Sequence, residues 1–115
     1  MLRGVPMSSR PEPPPQNGSG DPLWPAVIAR YADRPAFAAA ARERHEFGVA
    51  KYGCALRAHN CRNARIDALQ EAMDLIVYLE QMAQEAPSGW DARAIRNQQL
   101  RAVDLAQWLL DWGDQ

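Results

Sequence analysis

In a chain of 115 residues, a leader of 21 rich in proline, glycine and serine leaves a little over ninety for a packed core, enough for one domain. Lys and Arg number 13 against 14 Asp and Glu, a net charge of −1, which excludes bulk attraction to duplex nucleic acid or to a membrane surface, so an anionic partner must be met locally. No apolar run is long enough to span a membrane. Cys54 and Cys61, with no secretory h-region before them, fit reduced thiols in a cytoplasmic protein.

Residues 1–21 have little to bury and read as a disordered tail, with a PxxP ligand at residues 10–15 as the alternative. Residues 22–115 read as a single all-α domain. Leu23, Trp24, Val27, Ile28 and Tyr31 recur at three and four, which predicts a short amphipathic helix ending near Asp33. Asp33 is then a candidate N-cap for a second helix, with Pro35 just inside it and an end near Lys51. Gly48 within that helix costs about 1 kcal/mol relative to alanine, which suggests that a backbone or a ligand approaches closely there.

Residues 52–65, YGCALRAHNCRNAR, lack a clean period and read as a loop with an N-cap near Asn63. From residue 42 to 65 the chain is basic: Arg42, Arg44, Lys51, Arg57, Arg62 and Arg65 stand against two acids, and the next 27 residues hold no Lys or Arg at all. A turn at residues 87–89 and a cap at Asp91 open a last helix to about Trp112, with Ile95, Ala102, Val103, Ala106, Leu109 and Leu110 inward. Trp90, Trp108 and Trp112 could stack on a base, but they more commonly complete a core or a subunit contact.

The stretch that organises the rest is residues 66–83, IDALQEAMDLIVYLEQMA. At about 100° per residue, Asp67, Glu71, Asp74 and Tyr78 share a strip roughly 60° wide, while apolar residues fill much of the remaining circumference. Such a helix belongs inside a fold. Its carboxylates repel one another, and their counter-charge has to come from a divalent cation or from arginines of another segment. Hard cations such as Mg²⁺ take oxygen ligands, and Glu71 and Asp74, one helical turn apart, can share an ion without straining the backbone. A strip that merely faces water is the alternative.

The second helix carries a similar pair in Glu43-Arg44-His45-Glu46, so two antiparallel helices would let E-x-x-E face E-x-x-D across a groove. Four oxygens around one or two Mg²⁺ ions suit hydrolysis at phosphorus, in which a carboxylate not committed to metal takes the proton of the attacking water. Lys51, Arg62 and Arg65 are the candidates for holding the outer phosphates.

E-x-x-E, a connecting segment and then E-x-x-D, together with Phe47-Gly48, Lys51-Tyr52-Gly53, Leu56, Asn60, Arg62 and DALQEAMDLIVYL, resembles the all-α nucleoside triphosphate pyrophosphohydrolases, the MazG-like superfamily, in its small phage and bacterial members. The resemblance covers roughly residues 42–81. It implies a bundle of about four helices assembled as a homodimer or homotetramer. The implied reaction cleaves a (deoxy)nucleoside triphosphate to the monophosphate and pyrophosphate, with purine deoxynucleotides as first guess, in a bacterial cell or phage-infected host. It also implies Glu43, Glu46, Glu71 and Asp74 as ligands of Mg²⁺ (or Mn²⁺), with Glu46, Glu71 and Asp74 catalytic. Lys51, Tyr52, Asn60, Arg62, Arg65, Asp67 and Tyr78 would meet the substrate. Cys61 and Asn63 depart from the N-G-R-D expected of the loop.

Several residues keep two readings. Asp67 offers a further metal or water contact, or pairs with a loop arginine. Tyr78 contacts the nucleotide or a carboxylate, or is structural. His45 touches a phosphate, or is a surface histidine. His59 with Cys54 and Cys61 supplies three ligands at a spacing that matches no standard zinc site. A non-catalytic module that uses the acidic groove to bind a nucleotide or a basic segment, and a purely structural helical dimer, are the competing functions.

Overall fold

The protein is seen in a computed structural model that describes residues 6–14 and 16–112. It is all-helical, with four α-helices among the described residues: α1 (Leu23–Arg30), α2 (Pro35–Tyr52), α3 (Ala64–Glu85) and α4 (Gly89–Trp112). There is no strand among those residues, only an isolated antiparallel bridge between Ser19 and Ala58. None of the helices is long and apolar enough to cross a membrane. The chain divides into two compact units, Met1–Pro11 with Asn63–Gln115, and Glu12–Arg62.

The first unit is built on α3 and α4. Asn63 caps α3, its side-chain oxygen accepting from the amides of Arg65 and Ile66 at 3.0 and 3.2 Å and so satisfying two donors the helix cannot bond internally. Ser88 opens α4: its hydroxyl accepts from the Asp91 amide at 3.2 Å and donates to the Asp91 carboxylate at 2.8 Å. The cap is therefore Ser88 rather than the expected Asp91, whose carboxylate three residues on accepts from the Ser88 hydroxyl. Only residues 86–88 separate α3 from α4, so the two run antiparallel, and Leu69, Ala72, Ala106 and Leu109 form the buried cluster between them.

Small residues at these positions let the helices approach closely, and the contact face is correspondingly narrow. Ile66, Leu69, Ala72 and Ala83 of α3 are buried, whereas Met73 and Val77 of the same helix stay exposed. On α4, Ala102, Ala106 and Leu109 are buried while Val103 and Leu110 are exposed. Met7, in a 3₁₀ turn at Met7–Ser9, packs against the same cluster. Gln70 holds this part of the leader through the Arg10 carbonyl at 2.7 Å.

In the second unit α1 ends at Arg30, three residues before the expected stop, and α2 starts from Arg34 rather than Asp33, with Pro35 at its first position. Tyr31 and Phe37 meet edge to face at 6.0 Å between the two helices. Gly53 ends α2 at φ 75, left-handed backbone that glycine adopts without strain. The loop after it pairs with the leader: Gln16, Ser19 and Leu23 donate backbone amides to the carbonyls of Asn60, Ala58 and Leu56 at 2.8–2.9 Å. Gly18 has φ 75, and any Cβ there would run into the Ala58 carbonyl oxygen, so the leader reaches the loop only because this residue lacks a side chain.

Candidate functional site

Glu71 and Asp74 sit one turn apart on α3, and on the helical wheel their strip lies opposite the face packed on α4. Both are exposed, and neither makes a hydrogen bond or ion pair among the described residues. Tyr78, on the same strip, is 61% exposed, so its ring is free to meet a ligand. Asp67, one turn before Glu71, is half-buried in the first turn of α3, where a carboxylate is favoured by the helix dipole.

Glu43 and Glu46 belong to the other unit, one turn apart on α2, exposed and likewise without a hydrogen bond or ion pair among the described residues. His45 between them is half-buried, and its Nδ1 is buried without a hydrogen-bond partner among those residues. No three His, Cys, Asp or Glu side chains gather among the described residues, so what each helix presents is a carboxylate pair. Exposed, unpartnered carboxylate oxygens at this spacing are hard donors of the kind Mg²⁺ takes.

The basic residues are more occupied than their sequence positions suggest. Arg62 donates Nη1 to the Pro13 carbonyl at 2.8 Å, and Arg57 donates Nε to the Gly20 carbonyl at 3.1 Å. The cause is chemical: a proline-rich extended segment lacks many amide donors but keeps its carbonyls, and guanidinium groups supply donors only. Arg65 lies over the Trp112 ring at 5.8 Å, and Lys51 lies near Tyr52 and Phe47 at 5.3 and 6.0 Å. Asn60 accepts from the Arg62 amide and shapes the loop. In that loop Cys61 has φ 69 and His59 φ 56, both left-handed. The glycine expected where Cys61 stands would take this conformation without strain.

One polar network escaped the sequence reading. Glu80 of α3 forms an ion pair with Arg96 of α4, whose Nη2 reaches Oε2 at 3.1 Å, and it also accepts from Gln84 at 2.9 Å and Gln99 at 3.2 Å. These bonds, Arg96's first, hold the Glu80 carboxyl down at about 2 and raise Arg96. Glu80 and Gln84 are neighbours at helical spacing, but Arg96 and Gln99 reach them only through the α3–α4 register. No protein-family model matches the chain, and no curated protein or solved structure is significantly similar to it.

Proposed function

We propose that this chain is a Mg²⁺-dependent nucleoside triphosphate pyrophosphohydrolase, cleaving a (deoxy)nucleoside triphosphate and water to the monophosphate and pyrophosphate. The observation that carries the reading is the Glu71–Asp74 pair: exposed, unpaired, one turn apart, in a stretch of 27 residues with no cation of its own. The E-x-x-E and the flanking residues of the MazG-like resemblance support it. Glu43, Glu46, Glu71 and Asp74 are the proposed ligands of Mg²⁺, with Mn²⁺ as substitute. When bound, the ion neutralises phosphate oxygens and acidifies a water. One of Glu46, Glu71 and Asp74 takes the water's proton, and Lys51, Arg62 and Arg65 hold the phosphate oxygens. Tyr52, Asn60, Asp67 and Tyr78 complete the nucleotide's surroundings. A purine deoxynucleotide is the first substrate to try, the setting a cytoplasmic nucleotide pool of a bacterium or infecting phage, and the working form a homodimer or homotetramer.

The test is a panel of nucleotides incubated with Mg²⁺ and analysed for both products. Pyrophosphate should appear, EDTA should stop it, and Glu71→Gln or Asp74→Asn should reduce it by roughly 10²-fold or more while circular dichroism stays helical. Nucleotide binding that survives EDTA, with no product at high protein concentration, would replace this reading with a non-catalytic binding module. Inorganic phosphate as sole product would mean a different hydrolase.

A further inference from the structure

The leader meets the loop after α2 through polar contacts. Gln16 and Ser19 donate their amides to the carbonyls of Asn60 and Ala58, and in return Arg62 Nη1 reaches the Pro13 carbonyl and Arg57 Nε the Gly20 carbonyl. Residues 16–20 are all exposed, so no apolar burial secures them. Arg57 has this one bond, to a neutral oxygen, and no ion pair among the described residues. A guanidinium carries five N–H donors in a fork shaped for paired phosphate oxygens, so a carbonyl fills only part of it. The charges point the same way: residues 53–62 hold two arginines and no acid, and residues 13–20 hold no charge at all. The leader therefore masks donors without neutralising them, and the loop keeps its pull on an anion. His59 and Cys61, on either side of Asn60, hold left-handed backbone at φ 56 and 69, which non-glycine residues keep only where their surroundings impose it. The carbonyls that pair with the leader, Ala58 and Asn60, adjoin both.

We propose that the leader is a strap over an anion site made by Arg57 and Arg62, and that the phosphate chain of a nucleotide displaces it. The carbonyl oxygens of Pro13 and Gly20 stand in for phosphate oxygens. A phosphate returns charge and paired bonds to a guanidinium, where a carbonyl returns one bond and no charge. What the strap loses on lifting is a set of exposed hydrogen bonds, which water replaces. Gly18 is the point at which it can be lifted by design. Its φ is 75, and any Cβ there would run into the Ala58 carbonyl oxygen, so a side chain opens the strap without touching a helix. The choice of a phosphate chain rests on the pyrophosphohydrolase reading above, to which this adds Arg57 as a phosphate-binding residue and the leader as a competitor for the site.

The experiment uses the full chain in EDTA with inorganic tripolyphosphate as probe, affinity being read by calorimetry and the exchange of the Gln16 and Ser19 amides by nuclear magnetic resonance. In the wild type, saturating tripolyphosphate should speed the exchange of both amides at least about tenfold, and sodium chloride at the same ionic strength should not. Gly18→Val should exchange both amides fast without any ligand. It should also bind the probe about five- to tenfold tighter, because a covered site's affinity is reduced by its open fraction. Adding Arg57→Ala to Gly18→Val should remove that gain. Ser19→Pro, which lacks the amide bonded to Ala58, is the second way to lift the strap and decides alone should Gly18→Val unfold. The proposal is overturned by amides that exchange fast in the unliganded wild type, stay protected at saturating probe, or open in sodium chloride alone. A leader still protected in both variants, or released with no gain in affinity, overturns it as well. Pyrophosphate release with Mg²⁺ is scored separately. Displacement of the strap without turnover leaves this proposal standing and removes the catalytic reading, and turnover without displacement does the reverse.

Discussion

Gly48 shows how a residue's cost and its surroundings have to be weighed together. It lies in the interior of α2, and a Cβ built there meets nothing within 4 Å, so the close approach expected from its position is not made by any described residue of the chain. Gly48→Ala should therefore stabilise the fold by about 0.5–1 kcal/mol, read as a rise of a few degrees in thermal midpoint. A loss of stability instead would mean that something outside this chain's described residues needs the space. Asn63 lies at the other extreme, since two amides of α3 depend on its side chain. Asn63→Ala should lower stability by about 1 kcal/mol in denaturant titration, and Asn63→Asp, which keeps the acceptor, should recover most of the loss.

At the scale of elements, the features readable from sequence are those decided within a turn or two of chain. Pro35 starts α2, Asn63 caps α3, and Glu71 and Asp74 share a strip because 3.6 residues per turn puts them there. What sequence could not supply depends on which distant partner arrives. Val77 and Leu69 are apolar residues of the same helix, yet alanines at the α3–α4 contact narrow it so that one is buried and the other is not. The hydrogen bond from Arg62 to the Pro13 carbonyl, 49 residues away, answers to no local pattern. The Glu80–Arg96 pair is of the same kind, and it carries a pH signature. Because Glu80 is held at about 2, below its ordinary 4.5, its contribution is complete above about pH 4.5 and is lost as pH falls through 2. Thermal midpoints of the wild type should fall across that window by more than those of Glu80→Gln, whose side chain does not titrate. Both partners are partly solvated, so the difference should be modest.

For the molecule as a whole, the acidic strip poses one question with two opposite thermodynamic answers. If it only faces water, its carboxylates are repelling neighbours, and neutralising one relieves about 0.2–0.5 kcal/mol per pair whatever the buffer contains. If it holds Mg²⁺, the same substitution removes a ligand, and the sign depends on the metal. In EDTA, Glu71→Gln should melt about 1–3 °C above the wild type, the repulsion being gone. With Mg²⁺ at about a hundred times its dissociation constant, binding to the folded state alone adds roughly 2.7 kcal/mol to the wild type and little to the variant. The order of melting temperatures should then reverse. Asp74→Asn should behave in the same way, and Glu85→Gln, on the same helix but away from the pair, should respond to Mg²⁺ as the wild type does. Parallel curves for wild type and variants, with and without Mg²⁺, would make the strip a solvated surface, and the catalytic assignment of Glu71 and Asp74 would go with it.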